Sequence, residues 1–119
     1  MLAVVVDRRR QELGAAGEER AAAWYRAHGY EVLARNWRCR EGELDLVVSR
    51  GRTVAFVEVK TRRSARFGHP VEAVTPTKQD RLRRLALAYL RATGTRAGSL
   101  RFDVVAILGG ELEVVPAAF

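Results

Sequence analysis

Cysteine is nearly absent from the sequence, which excludes a disulfide-stabilised fold and a cysteine-based zinc site. The single cysteine, Cys39, has no second cysteine with which to form a bridge, and one thiolate cannot hold zinc by itself. A chain without internal disulfides is typical of a reducing compartment, and we therefore expect a cytoplasmic protein.

Long apolar runs are also absent. No stretch approaches the roughly 20 apolar residues that a helix needs to cross a bilayer, so we expect no membrane-spanning segment. The apolar residues near the start, Leu2 to Val6, are too few for the hydrophobic region of a secretory signal, and no basic residue precedes them. Both absences favour a soluble protein.

Acidic residues are fewer than basic ones, 14 against 21, which gives a formal net charge of +7. Lysine and arginine side chains that contact phosphates release counterions, so this excess favours a polyanionic partner such as nucleic acid. A membrane surface, a ribosome contact and solubility alone remain alternatives. The apolar fraction of 48% excludes a disordered chain. The length suits one domain, which we expect over residues 11–119 after a loose basic tail over residues 1–10.

The first predicted element is a helix over about residues 11–28. Trp24 is predicted to face the core from this helix. Gly14 and Gly17 weaken the helix intrinsically, which indicates that another part of the chain approaches its backbone closely.

Strands rich in valine, leucine and phenylalanine follow this helix, and one further helix interrupts them. Thr75 followed by Pro76 indicates a helix start, because threonine suits the N-cap and proline suits the first helical position. The predicted order is α-β-β-β-α-β-β, which indicates an α/β sandwich in which helices flank a mixed sheet. We predict strands at residues 30–34, 43–49, 53–61, 101–108 and 112–115, loops at 35–41 and 62–74, and the second helix between Thr75 and Gly94.

Two neighbouring predicted strands carry charged side chains. Side chains alternate along a strand, so Glu58 and Lys60 point to one side of the sheet, and the valines next to them point to the other. A type II′ turn at Gly51 would set the strand pairing so that Asp45 lies opposite Glu58. The same register places Glu43 opposite Lys60 as an ordinary ion pair.

Asp45 and Glu58, so placed, would repel each other. A hard divalent cation such as Mg²⁺ removes the repulsion, because it binds carboxylate oxygens. The alternative is a solvated strand face on which these side chains form salt bridges. The position of Glu58 inside the apolar run from Val54 to Val59 favours the metal site, because exposure is less expected there.

Several short motifs distinguish the sequence, namely Gly17-Glu18, Arg35-Asn36, Gly42-Glu43-Leu44-Asp45-Leu46, Phe56-Val57-Glu58-Val59-Lys60-Thr61-Arg62, Phe67-Gly68, Lys78 and Arg101-Phe102-Asp103. An aspartate followed by Glu-x-Lys on paired strands resembles the PD-(D/E)xK nuclease superfamily. More narrowly, the chain from about Leu13 to Ile107 resembles the bacterial YraN/UPF0102 family. The resemblance implies a restriction-endonuclease-like αβββαβ core, similar to that of archaeal Holliday-junction resolvases. Leu44 departs from the pattern, because the superfamily has a proline there.

The resemblance also implies roles for four residues. Asp45 and Glu58 would bind Mg²⁺ or Mn²⁺, and Glu18 would support the metal from the first helix. Lys60 would orient or activate the attacking water, or stabilise charge on the phosphate. The implied activity is endonucleolytic hydrolysis of phosphodiester bonds in nucleic acid, with DNA expected and with branched or flapped structures among the candidate substrates. Two alternatives remain: a nucleic-acid-binding domain of the same fold with little or no catalysis, and a protein-interaction domain whose acids form salt bridges.

Basic residues near these positions are predicted phosphate contacts, namely Arg62, Arg63 and Lys78. Trp37 and Arg38 lie in a basic segment where the aromatic ring could stack on a base, although packing is the favoured role for Trp37. Asp103 is predicted to form structural hydrogen bonds. Junction resolvases pair two sites, so the resemblance makes a homodimer an expectation.

Overall fold

Two α-helices and five strands make up the part of the chain that the computed structural model describes, residues 2–64 and 68–119, with the backbone alone for residues 2–12. Residues 65–67, which belong to the predicted loop at 62–74 and include Phe67 of the Phe67-Gly68 motif, lie outside the described residues. The order confirms the predicted α-β-β-β-α-β-β arrangement. The elements are α1 (Leu2–Ala27), β1 (Glu31–Cys39), β2 (Gly42–Arg50), β3 (Thr53–Arg62), a 3-10 helix (Pro70–Ala73), α2 (Pro76–Thr93), β4 (Ser99–Leu108) and β5 (Glu111–Val115).

The five strands form one mixed sheet in the order β1-β2-β3-β4-β5. Strands β3 and β4 are parallel, and the other neighbouring pairs are antiparallel. The crossover between the parallel strands contains α2, as parallel pairing requires. Side chains of α1 and α2 belong to two separate apolar clusters on opposite faces of the sheet. The predicted sandwich, with helices flanking a mixed sheet, is therefore confirmed. No helix among the described residues is long and apolar enough to cross a membrane.

Helix α1 differs from its prediction at both its start and its buried face. It begins at Leu2, so residues 2–10, predicted to be a loose tail, are helical in the structure. Tyr25 is fully buried, whereas Trp24, which was predicted to face the core, is partly buried and packs edge-on against Tyr25. The physical reason is that the Tyr25 hydroxyl finds a buried acceptor, Asp103 Oδ2, at 2.7 Å.

Gly17 allows α1 to approach β3 closely, as the sequence predicted. A Cβ atom at Gly17 would collide with Thr61 Oγ1 and would lie 3.3 Å from Ile107 Cδ1, whereas one at Gly14 would meet no atom within 4 Å. The buried Thr61 Oγ1 has no hydrogen-bond partner among the described residues. The glycine at residue 17 is therefore needed for packing, and the glycine at residue 14 is not.

Substitution of Gly17 by alanine is expected to lower the free energy of unfolding by about 1–3 kcal/mol, because the added methyl group overpacks the α1–β3 contact. Combining it with Thr61→Ala should recover most of this loss, since the colliding oxygen is removed. Gly14→Ala is the matched control and should stabilise the helix by up to about 1 kcal/mol. Urea unfolding measures all three variants, and equal stability of the two alanine variants would contradict this packing.

The β2–β3 hairpin confirms the predicted register. Of its two central residues only Gly51 has a positive φ, 59°, as a type II′ turn requires. Arg50 pairs with Thr53, and the pairing continues to Leu46 with Val57. The neighbouring prediction of a loop at residues 35–41 is wrong, because β1 continues to Cys39. This part of β1 is an edge strand with mostly polar side chains, and the sequence therefore lacks the apolar alternation that marks a strand.

Helix α2 begins and ends where the sequence predicted. The Thr75 side chain caps the helix by accepting a hydrogen bond from the Lys78 backbone N–H at 3.3 Å, and Gly94 ends it with a left-handed φ of 68°. Leu82, Leu85 and Tyr89 form a buried stripe along the helix. The stripe packs against the face of the sheet opposite to α1. The first turn of α2 lies near β3, since Lys78 and Lys60 line one cavity.

Candidate active site

A fork between β2 and β3 creates the candidate site. Their pairing ends at Leu46 and Val57, whereas β2 remains paired with β1 as far as Gly42, and β3 remains paired with β4 as far as Arg62. Leu44 and Leu46 are two residues apart, yet they belong to apolar clusters on opposite faces of the sheet. The strand therefore rotates at the residue between them, Asp45, where it leaves β3.

Asp45 bridges the fork through its side chain. Its Oδ2 atom accepts a hydrogen bond from the Val59 backbone N–H at 2.9 Å. This N–H has lost the ladder partner that a continuous strand pair would supply, so the carboxylate takes the place of a backbone carbonyl. The predicted Asp45–Glu58 pairing thus lies just beyond the last paired residues rather than within the ladder. The hydrogen bond fixes Asp45 beside the backbone that carries Glu58.

Glu58 and Lys60 form an ion pair on β3. Lys60 Nζ lies 3.1 Å from Glu58 Oε1, and the two side chains are 20% and 16% exposed. The predicted pair of Glu43 with Lys60 is wrong, because Glu43 Oε2 instead lies 3.5 Å from Arg38 Nε across β1 and β2. The fork is the reason: once β2 and β3 separate, Lys60 contacts the acid on its own strand.

A cavity of about 610 Å³ brings the predicted catalytic residues together. Glu18 contributes from α1, which reaches this point because Gly17 packs against β3. The predicted phosphate contacts Arg62 and Arg63 lie in the same wall. The lining residues are Leu13, Gly14, Glu18, Asp45, Glu58, Val59, Lys60, Thr61, Arg62 and Arg63.

Burial, with two other carboxylates nearby, raises the pKa of Asp45 to about 7. Burial is the largest cause, and the nearby charges of Glu58 and Glu18 add to it, while the Val59 N–H and Lys60 oppose it. Ionisation of the Asp45 carboxyl group is unfavourable in this buried position beside a second acid, and a bound cation would stabilise the ionised form. The arrangement therefore suits a cation-binding site. Among the described side chains, those of residues 13–64 and 68–119, no three histidine, cysteine, aspartate or glutamate residues converge as a metal cluster. Mg²⁺ needs only one or two carboxylates, since water completes its coordination, so this donor set fits.

The raised pKa of Asp45 predicts a pH-dependent stability for the metal-free protein. The folded pKa of about 7 exceeds the ordinary value of 3.8, so the folded state keeps a proton that the unfolded state releases. Stability should therefore fall as pH rises from about 4 to about 7. Asp45→Asn, whose amide oxygen can still accept the Val59 N–H, should stabilise the metal-free protein by about 1–2 kcal/mol at pH 8.

Thermal unfolding in chelator at pH 5 and pH 8 tests this expectation. The stabilisation by Asp45→Asn should be clear at pH 8 and small at pH 5. Asp80→Asn is the control, because Asp80 is an exposed acid on α2 whose one ion pair among the described side chains is with Arg83. A variant at residue 45 that is less stable than the parent at pH 8 would show that the carboxylate is not under electrostatic strain.

The remaining predicted residues occupy different places around the site. Lys78 lies on the first turn of α2, and the charge of nearby Lys60 is the largest cause of its lowered pKa. Arg38 is exposed on β1 and lines a neighbouring cavity that also contains Glu18. Trp37 packs edge-on against Tyr89, with ring centroids 5.4 Å apart, which is the packing role that the sequence favoured.

Arg81 is a candidate functional residue that the sequence interpretation left unassigned. It lines a second cavity together with Lys60 and Lys78. The spacing in the sequence indicated that Arg81 lies on the same helix face as Lys78, because residues three apart on a helix share a face. The sequence could not show that this face borders the site, since that depends on how α2 crosses the sheet.

Comparisons with known proteins identify similar chains in bacteria. A family model described as "Uncharacterised protein family UPF0102" matches residues 17–107. A UPF0102 protein of Nocardia farcinica is 56% identical over 108 residues, which cover 91% of this chain and 84% of the relative. A UPF0102 protein of Leifsonia xyli subsp. xyli is 48% identical over 100 residues, which cover 84% of this chain and 85% of the relative. A UPF0102 protein of Beutenbergia cavernae is 54% identical over 101 residues, which cover 85% of this chain and 86% of the relative. The family description and these names state no activity.

Proposed function

The chain belongs to UPF0102, and from the geometry of its site we propose that it is a metal-dependent endonuclease that hydrolyses phosphodiester bonds in nucleic acid, with DNA as the expected substrate. The observation that carries the proposal is one cavity that contains Asp45, Glu58 and Lys60 at the fork between β2 and β3. Two acids and a lysine, all largely withdrawn from solvent, supply both a cation site and a positive charge for a phosphate.

Asp45 and Glu58 would hold Mg²⁺ or Mn²⁺, and Glu18 would support the ion from α1. When bound, such an ion polarises the phosphate and lowers the pKa of a bound water. The protein contributes positioning: the Val59 N–H holds the Asp45 carboxylate, and Lys60 holds the Glu58 carboxylate. Both acids are thus oriented before a substrate arrives.

Lys60 has a separate role toward the phosphate. Its ammonium group lies in the cavity beside Glu58, and an ammonium is a compact positive charge that interacts strongly with phosphate oxygens. Positive charge placed where negative charge develops lowers the barrier to hydrolysis. Lys60 would therefore stabilise the attacked phosphate, or orient the attacking water by donating a hydrogen bond.

Basic side chains around the cavity would bind the flanking parts of the polymer. Arg62 and Arg63 line the cavity at the end of β3, Lys78 lies beside Lys60, and Arg38 is exposed next to a cavity that shares Glu18. Contacts of this kind position a nucleic acid without reading its sequence. The net charge of +7 supports the same partner.

Cleavage of a panel of labelled DNAs tests the proposal. The panel contains single strand, duplex, flap, nicked duplex and four-way junction, each with Mg²⁺, Mn²⁺ or chelator. We expect metal-dependent cleavage, with flapped or branched DNA cleaved faster than duplex, and none by Asp45→Ala prepared in parallel. Cleavage that persists in that variant would indicate a contaminating nuclease. Binding without cleavage would instead support a nucleic-acid-binding domain of the same fold.

A further inference from the structure

A second cavity lies on the α2 side of the Glu58–Lys60 pair. Its volume is about 220 Å³, and Glu58 and Lys60 line both this cavity and the larger one. The two cavities therefore meet at this ion pair. The other lining residues of the second cavity are Gly42, Glu43, Lys78, Arg81, Leu82 and Leu85.

The second cavity has an excess of positive charge. Lys60, Lys78 and Arg81 face two carboxylates, and each of those carboxylates is already paired: Glu58 with Lys60, and Glu43 with Arg38. No carboxylate within the described residues forms an ion pair with Lys78 or Arg81.

The arrangement of these cations is unfavourable without an anion. Lys78 lies close to Lys60, and it occupies the first turn of α2, where the helix dipole is positive and no acid is present. Arg81 follows one turn later on the same face. A bound anion would relieve both the repulsion between the two lysines and the unfavourable position of Lys78.

We propose that Lys78 and Arg81, together with Lys60, bind a second phosphate of the substrate, the one adjacent to the scissile phosphate on the same strand. This proposal rests on the proposed function, in which the larger cavity receives the scissile phosphate. Because Lys60 borders both cavities, it contacts both phosphates of one strand. The apolar side chains of Leu82 and Leu85 line the same cavity and suit the sugar between phosphates. The enzyme would therefore select polynucleotides over diesters that carry a single phosphate.

A comparison of two substrates tests this selectivity. The substrates are a labelled oligonucleotide and bis(p-nitrophenyl) phosphate, both with Mn²⁺. The double variant Lys78→Gln/Arg81→Gln should lower the ratio of kcat/KM for the oligonucleotide to that for the small diester by about 10-fold or more. Arg91→Gln, an exposed arginine in the last turn of α2, is the matched control and should preserve the ratio. An equal loss on both substrates would overturn the proposal.

A measurement of binding in the absence of cleavage distinguishes failure of this proposal from failure of the proposed function. Fluorescence anisotropy in chelator, over a series of salt concentrations, measures oligonucleotide affinity whether or not the protein cleaves. The double variant should bind more weakly, and the slope of log affinity against log salt should decrease by about 1–2. If the parent cleaves neither substrate, the nuclease proposal fails, and this slope still decides the phosphate site. A slope equal to that of Arg91→Gln would refute the site.

Discussion

Substitution of Glu58 by glutamine is expected to reduce the single-turnover rate of metal-dependent cleavage by about 10²–10⁴-fold. The amide keeps the shape of the side chain but loses the charge that would bind the cation. It also loses the ion pair with Lys60, whose Nζ lies 3.1 Å from Glu58 Oε1. The fold should persist, because both side chains of the pair are partly exposed and neither belongs to the apolar clusters.

Two companion variants separate binding of the metal from the chemistry. Lys60→Gln should lose a similar part of the cleavage rate yet retain Mn²⁺ binding, because the lysine is not a metal ligand. Glu31 is an exposed acid on β1, and Glu31→Gln is therefore the control for loss of one negative charge. This variant should cleave at the same rate as the parent. A normal cleavage rate in Glu58→Gln, with the parent active, would remove this residue from the mechanism.

Replacing Asp103 by alanine is expected to destabilise the protein by about 3–5 kcal/mol, the typical effect of breaking a buried ion pair. Asp103 is fully buried and accepts hydrogen bonds from the Tyr25 hydroxyl at 2.7 Å, Arg101 Nε at 2.8 Å and the Ala117 N–H at 3.0 Å. These bonds join α1, β4 and the segment after β5. Alanine leaves the guanidinium and the buried hydroxyl without their acceptor.

Urea unfolding of two variants checks this expectation. Tyr25→Phe removes only one hydrogen bond to Asp103 and should cost about 1–2 kcal/mol, less than Asp103→Ala. A loss below about 1 kcal/mol in Asp103→Ala would contradict a structural role for this network. The prediction also bears on the sequence motif Arg101-Phe102-Asp103, in which Asp103 was expected to form structural hydrogen bonds rather than to act in catalysis.

Local signals in the sequence were sufficient for the hairpin and for α2. Gly51 selects a turn whose register follows from its geometry, and that register holds as far as Leu46 and Val57. Thr75 and Pro76 determine the start of α2 through hydrogen bonding and a fixed backbone angle. Each of these features depends on a few neighbouring residues, which explains why the sequence predicts it.

The fork at Asp45 could not be predicted, because it depends on tertiary packing. An ideal continuation of the ladder would pair Glu43 with Lys60, but β2 turns away so that Leu44 packs against the α2 side. The choice of Tyr25 over Trp24 as the buried aromatic likewise depends on a distant acceptor, Asp103. The sequence thus identified the chemical groups of the candidate site, while their contacts follow from long-range packing.

Calorimetric titration with Mn²⁺ tests the central claim most directly, because it measures the cation site without a nucleic-acid substrate. The parent should bind Mn²⁺ at pH 7, and Asp45→Ala and Glu58→Gln should each lose this binding, while Lys60→Gln keeps it. Equal Mn²⁺ affinity in the parent and in both carboxylate variants would contradict a metal site at the fork between β2 and β3.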